Sequence, residues 1–441
     1  MFCSRIFYPT TTLIIGLILF KIPTYAQSVP PMQLSEVWQL VTTESKNVQL
    51  AHKQVKQHKV LVQDAKNSQL PTLSVFGEID KASNMPVYSN GLNHKPEQHD
   101  VVHTLYQTGA NAYLNLYNGF KTKNEIQLAK HELALSEAEL EEVLAQQKKI
   151  AALYFYDLYL QYQFQSVMMS DMEEKEHELQ EIKNLQQAGV VLNSDVLRAE
   201  LELSKRKMTL IEIRNAIKVY HQKLNVLIGK ADTFIFEPVL TEQTTPKYVG
   251  LEDAIRIAHE RAYQAQISEV HVAEAETNLA LTKSNKSFQL GIVGSFQFSN
   301  PQIFLYPYNL DWYSLGIVGV KASYNISNLY HHKNKVAASK VRVSAAHIHH
   351  HQVSDKVRTA VYEAYYAWDE AKSYENIFKA NVAYADENKR IIKNAYFSNT
   401  VLITDFLDAN ILELKAHFDY KQAQINTLKT YLELQYAQGL L

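Results

Sequence analysis

Leu73-Ser-Val-Phe-Gly77 and Leu290-Gly-Ile-Val-Gly294 carry one pattern at two places: Leu73 answers to Leu290, Val75 to Ile292 and Gly77 to Gly294, each 217 residues on. Apolar residues recur at every second position, the period of a strand. Working outward, Leu34-Ser-Glu-Val-Trp-Gln-Leu40 matches Leu251-Glu-Asp-Ala-Ile-Arg-Ile257, and Val55 matches Val272, at the same offset. Downstream the offset becomes 210. It pairs Asn118 with Asn328, Lys123-Asn124 with Lys333-Asn334, Phe155-Tyr156 with Tyr365-Tyr366, Asp195 with Asp405, Leu224 with Leu434 and Gly229 with Gly439. The change of register falls between Gly77 and Asn118. Two gapless registers in succession mark a duplication. Length alone would divide 441 residues into about three domains. The repeat divides them instead into a signal peptide (1–26), a first unit (27–228), a linker (229–250) and a second unit (251–441).

Within each unit the hydrophobic period changes in the same order. Residues 34–69 are helical in character and end at Pro71. Leu73, Val75 and Ile79 then alternate with polar or small residues. A loop rich in Asn, Pro, Gly and His follows (81–103), and Ala110, Ala112, Leu114 and Leu116 alternate with Gln107, Asn111 and Asn115. In the second unit Phe288, Leu290, Ile292, Phe296 and Phe298 oppose Gln289, Ser295 and Gln297. After a Pro/Tyr-rich loop, Val318, Val320, Ala322, Tyr324 and Ile326 oppose Lys321, Ser323 and Asn325. The four segments have the length of tilted membrane-spanning strands, roughly ten residues. Tyr106, Tyr117, Phe120, Tyr306, Tyr308, Trp312, Tyr313 and Tyr330 gather at their ends, where an interfacial girdle would lie.

Long helical stretches follow, 119–187 and 329–396, nearly free of Gly and Pro, and then further helices, 193–228 and 403–438. Leu203, Leu210, Ile213, Ile217, Tyr220, Leu224 and Leu227 step by sevens, threes and fours, a coiled-coil seam. One narrow stripe per helix suits helices packed side by side in a curtain.

The N-terminus reads as a secretory signal: Arg5, the apolar run Leu13 to Phe20, and small residues before a cut after Ala26. Cys3, the only cysteine, lies inside it, so the mature chain has no disulfide or thiolate chemistry. With 44 basic and 46 acidic residues, overall charge provides no drive toward nucleic acid. A mean hydropathy of −0.25 excludes a polytopic helical membrane protein. No HExxH, GxSxG or Walker-type loop occurs. Neither an enzyme nor a cofactor is therefore expected.

Four strands cannot close a barrel, which needs about eight, and an open sheet leaves edge groups that lipid does not tolerate. The expected fold is α+β and internally duplicated. Each chain contributes four strands to a shared β-barrel, for which a trimer supplies twelve, beside a curtain of long helices. The rival expectation is a periplasmic coiled-coil structural protein without a channel, which leaves the four alternating strands without a role.

The order helix, hairpin, long helix, tip, helix, written twice behind a signal peptide, resembles the TolC family of outer-membrane efflux proteins. The specific marks are the tip segments Ala188-Gly-Val-Val-Leu-Asn-Ser-Asp-Val-Leu-Arg-Ala-Glu200 and Ser398-Asn-Thr-Val-Leu-Ile-Thr-Asp-Phe-Leu-Asp-Ala409. Leu116-Tyr-Asn-Gly-Phe120 and Tyr154-Phe-Tyr-Asp-Leu158 support them. The resemblance implies a homotrimer in the bacterial outer membrane with its helical barrel in the periplasm. It implies an exit duct of an efflux pump or type I secretion system, docked through a periplasmic adaptor to an inner-membrane transporter. It further implies that Asp405 and Asp408 ring the entrance and favour cations, and that Asp195 and Tyr396 lock neighbouring coils. Val401 stands where the family has a basic partner, which leaves a Tyr396–Asp195 hydrogen bond as the remaining lock. N-capping is the competing role for these aspartates, and the favoured one for Asp195. Gly189, Val190, Val191, Leu192, Thr400, Val401 and Leu402 would be the adaptor-docking tips, or would simply pack their turns. His347 and His351 share a helix face at metal-ligand spacing, although a solvated polar face explains them as well.

Overall fold

The computed structural model describes residues 30–99, 101–241, 249–302 and 309–441. The signal peptide with Cys3, and Tyr306 and Tyr308 of the aromatic set, lie outside the described residues. The first unit runs β1 (Pro31–Gln33), α1 (Leu34–Glu44), α2 (Lys46–Asn67), β2 (Thr72–Lys81), β3 (Met85–Val87), β4 (Glu97–His99), β5 (Thr104–Tyr117), α3 (Lys121–Gln187) and α4 (Asn193–Ile228). After β6 (Glu237–Val239) the second unit runs α5 (Leu251–Arg261), α6 (Tyr263–Ser284), β7 (Gln289–Asn300), β8 (Tyr313–Ser323), α7 (Asn328–Phe397) and α8 (Ile403–Ala437). The offsets recur in the element boundaries: α5 begins 217 residues after α1, and α8 begins 210 after α4.

The two hairpins join into one antiparallel sheet, ordered β2-β5-β7-β8, so β5 and β7 unite the units and β2 and β8 are edges. Residues facing each other across an antiparallel ladder share a side of the sheet. The rows Val75–Ala110–Phe296–Gly316 and Leu73–Ala112–Gly294–Val318 therefore lie on one side. Ser74–Asn111–Ser295–Ile317 lies on the other. A register shift between Asn115 and Tyr117 interrupts the alternation. It takes Leu116 out of the expected row and sets Tyr117 opposite Leu290.

α3 and α7, 67 and 70 residues long, each reach about 100 Å. α3 packs against α2 and α4 and also against α6 and α8, while α7 packs against α6 and α8. The wall is thus two unbroken helices alternating with two stacked pairs, α2 with α4 and α6 with α8. No described helix is long and apolar enough to cross a membrane.

Three details depart from the sequence expectation. Residues 34–69 form two helices, because the backbone is extended at Ser45; the second unit breaks likewise at Ala262. Both breaking residues are buried, so the elbow is set by packing on α3 and α7 and not by a helix-breaking residue. The loop 81–103 carries a short hairpin, β3 with β4. The first part of the linker is built into the first unit: β6 pairs in parallel with β1, and Phe236 is fully buried against Phe155.

Three buried clusters hold the molecule. The largest unites α1, the middle of α3, the upper half of α4 and the linker through Val37, Phe155, Leu158, Leu224 and Phe236. A second gathers Trp368 and Leu434 with Ala254 and Ala258. The third lies at the tips and includes Ile182, Val196, Tyr396, Ile403 and Phe406. The seam residues Leu203, Leu210, Ile213, Ile217 and Leu224 are all buried.

Candidate functional site

The sheet has two chemically distinct faces. On one, Leu73, Val75, Ile79, Val318 and Val320 are at least 70 % exposed, an apolar area that a chain in water does not leave open. The other is richer in polar groups: Ser74, Asn111, Gln107, Ser295, Gln297 and Lys321 stand there beside Phe76, Leu315 and Ile317, with Gln107 Nε2 donating to Gln297 Oε1 at 3.0 Å. Aromatic pairs stand at both ends. Tyr106 meets Trp312 at 6.0 Å at the loop end, and Tyr117 meets Phe288 at 4.8 Å at the helix end. From Tyr106 to Tyr117 the strand covers about 36 Å. At a tilt of 35–45° that is roughly 25–30 Å of height, the apolar band of an outer-membrane barrel.

At the opposite end of the long helices lie the tips. α3 ends on Gly189 at φ +75°, and Val190 N–H bonds back to Leu185 O at 2.9 Å. α7 ends on Asn399 at φ +59°, with Thr400 N–H on Ala395 O at 2.9 Å. Both are left-handed helix stops. Gly189, Val190, Leu192, Thr400 and Leu402 are exposed, whereas Val191 and Val401 are half-buried against the tip cluster.

No protein-family model matches the chain, and no curated protein matches it in sequence. Solved structures do. The outer-membrane channel OprN superposes with a TM-score of 0.76 at 15 % identity, covering 92 % of this chain and 89 % of that one. The outer membrane protein VceC of Vibrio cholerae gives 0.75 at 14 %, over 92 % and 96 %. CusC, described for its folding and transmembrane channel formation, gives 0.78 at 12 %, over 99 % of both chains. The fold is that of the TolC-type outer-membrane channels.

In this channel fold the expected gate residues fall at the tips. Asp405 and Asp408 are exposed on the first turns of α8, opposite the buried Ile403, Phe406 and Ala409. The capping role belongs to Asp405, whose Oδ2 accepts Leu402 N–H at 3.4 Å. Asp195 stands in the first turn of α4 without a side-chain cap bond, which reverses the sequence expectation. Tyr396 is buried where the four tip helices meet, with its ring stacked on Phe406 at 5.0 Å. Its hydroxyl has no hydrogen-bond partner, so the expected bond to Asp195 is not formed within the chain. Burial, and then the nearby Asp195 carboxylate, push its pKa up to about 12.

About three turns above the tips a belt of charge crosses the wall, and sequence reasoning missed it. Asp171 binds Arg206 at 2.6 Å between α3 and α4, and Arg206 also meets Glu202 at 3.2 Å. On α3, Lys175 binds Glu178 at 2.7 Å. Lys389 and Lys393 of α7 reach Glu174 at 2.8 and 3.0 Å, and Lys393 reaches Glu178 at 2.8 Å. Burial would raise the Glu174 carboxyl; hydrogen bonds from Lys389 and Lys393, with Lys175 close by, hold it down at about 2. The detectable signal was charge at seam positions, which periodicity alone reads as solvated faces.

His347 pairs with Glu276 at 3.5 Å, and among the described residues neither His347 nor His351 joins a three-ligand group. Among the described residues one such group exists: Asp386, Glu413 and His417, where α7 meets α8. Its sequence signal was Glu413 and His417 at i,i+4.

Proposed function

We propose that the chain is one protomer of a homotrimeric channel in the bacterial outer membrane, the exit duct of a tripartite efflux pump or type I secretion system. The observation that carries this is the four-stranded sheet, apolar on one face, richer in polar groups on the other and open at β2 and β8. Lipid supplies a medium for the exposed apolar face but no partners for open edges. Joining β8 of one copy to β2 of the next removes every edge and turns the polar face into a lumen wall. The helices support the same closure. Ile377, Tyr384 and Ile391 of α7 repeat by sevens on an exposed stripe, as do Leu201 with Met208 and Val219 with Val226 on α4. These stripes bound the curtain on its two sides, and side-by-side copies would bury both.

Asp405 and Asp408 then stand as a ring of carboxylates at the entrance, where charge selects ions. The exposed tip residues Gly189, Val190, Leu192, Thr400 and Leu402, with Val191 and Val401 behind them, form the docking surface for a periplasmic adaptor. An inner-membrane transporter engages through that adaptor. The test is a bilayer recording of the protein purified from outer membranes: discrete, cation-selective conductance is expected. Asp405→Ala with Asp408→Ala should weaken that selectivity, and unchanged selectivity removes the ring. Release of the protein by a carbonate wash of the membranes would favour the rival coiled-coil fibre.

A further inference from the structure

The charged belt ends on α8 in a group that a duct does not require. His417 Nε2 lies 2.9 Å from Asp386 Oδ1 and 3.6 Å from Glu413 Oε1, and the three donor atoms lie within 4.8 Å of one another. Glu413 and His417 are one turn apart on α8, and Asp386 meets them from α7. Bonds of 2.0–2.2 Å to a tetrahedral zinc ion place donor atoms about 3.3–3.6 Å apart, so small side-chain movements suffice. Glu413 uses its other oxygen, Oε2, to meet Lys389 at 3.4 Å, which leaves Oε1 turned to the shared point.

The duplicated half shows what this place in the coil looks like without a ligand. The positions 210 residues earlier are Glu176, Leu203 and Lys207. There Lys207 pairs with Glu176 at 3.8 Å, and Leu203 is buried in the seam. The second half has exchanged a permanent cation for an imidazole and a seam leucine for a carboxylate. Neither exchange improves packing; together they add two donors at ligand spacing. One turn before Glu413 on the same stripe, Asn410 is completely buried with both amide atoms unbonded, so this seam is polar beyond what its ion pairs require.

We infer that Asp386, Glu413 and His417 form a binding site for a divalent transition-metal ion of the zinc class, clamping α7 to α8. One nitrogen and two carboxylates suit such an ion, whereas calcium and magnesium take six or more oxygens. The ion neutralises the two carboxylates while the imidazole is neutral. The inference holds whatever the duct carries.

The test is titration of the full-length, chelator-stripped protein with zinc alone, in competition with a chromophoric chelator. One zinc per chain is expected. His417→Lys recreates the ion pair of the first half, so the coil is kept while a ligand is lost; affinity should fall at least tenfold. Asp386→Asn, at the exposed end of the group, should also weaken binding, whereas His347→Ala should not. Absence of a stoichiometric site, or wild-type affinity in His417→Lys, overturns the inference. So does loss of binding in His347→Ala with His417→Lys unaffected, since the histidine run on α7 is then the site.

Discussion

Leu179 and Leu203 stand in the seam of the first tip coil; 210 residues on, the same positions are Lys389 and Glu413, 3.4 Å apart. The neighbouring pairs diverge in the same sense. Lys183 binds Glu200 at 2.8 Å within the first coil. For its counterpart Lys393 the matching glutamate is replaced by Asn410, and the lysine turns to Glu174 and Glu178 of α3. The first coil's Lys183 and Lys207 pair within it, while Lys389 and Lys393 of the second reach across to the first. Duplication preserved the backbone and freed one copy to supply the connection between the two.

The comparison breaks hardest at Phe406, whose counterpart is Val196. Phe406→Ala removes the ring that stacks on Tyr396 and meets Phe397 at 5.8 Å, and should cost about 3–5 kcal/mol. Denaturant unfolding of the purified protein should show it, with Val196→Ala clearly milder. Next, Lys389→Met removes one of the two lysines on Glu174 and, among the described residues, the only lysine on Glu413, and should cost about 1–3 kcal/mol. Leu179→Met, the matched change in the other coil, should be close to neutral. Equal losses from these two changes would mean the second coil's charges do no more than leucine does.

Acid separates the first unit's core from the ion pairs that join the two coils. Burial lowers His221, in the first unit's core, from 6.5 to about 4. A lowered pKa means that the unfolded chain takes up the proton first, so stability falls as pH drops from 6.5 toward 4. Glu174 is lowered from 4.5 to about 2, so its contribution is complete above pH 4.5 and is lost toward 2. His221→Gln should flatten the upper window and Glu174→Gln the lower, as read from unfolding midpoints across pH. The smallest effect is at the tip turns. Gly189 has nothing within 4 Å of an added Cβ, so Gly189→Ala pays only for φ +75°, about 1 kcal/mol. Asn399 already tolerates that region without glycine.

The fold was legible because the repeat constrained it twice: each long strand and long helix of one unit had a second copy to agree with. The elbows at Ser45 and Ala262 were not, since serine and alanine continue a helix as readily as they end one, and the extended backbone there comes from packing. The tip residues were located by the same repeat. Their division into exposed and half-buried depends on where the four helices converge at Tyr396, which no single helix pattern contains. Asp386 and His417 are 31 residues apart on different helices, and only the antiparallel return through the second tip brings them together.

The alternation of unbroken and stacked helices has a mechanical consequence. Masons lay bricks so that each joint is bridged by the brick beside it; here the joint between α2 and α4 is spanned by α3, and that between α6 and α8 by α3 and α7. No horizontal seam crosses the wall. A sideways load at mid-height must bend an intact helix and stretch its backbone hydrogen bonds, so the wall is stiff around its middle. Compliance is left to the ends, where the helices are joined only by their turns.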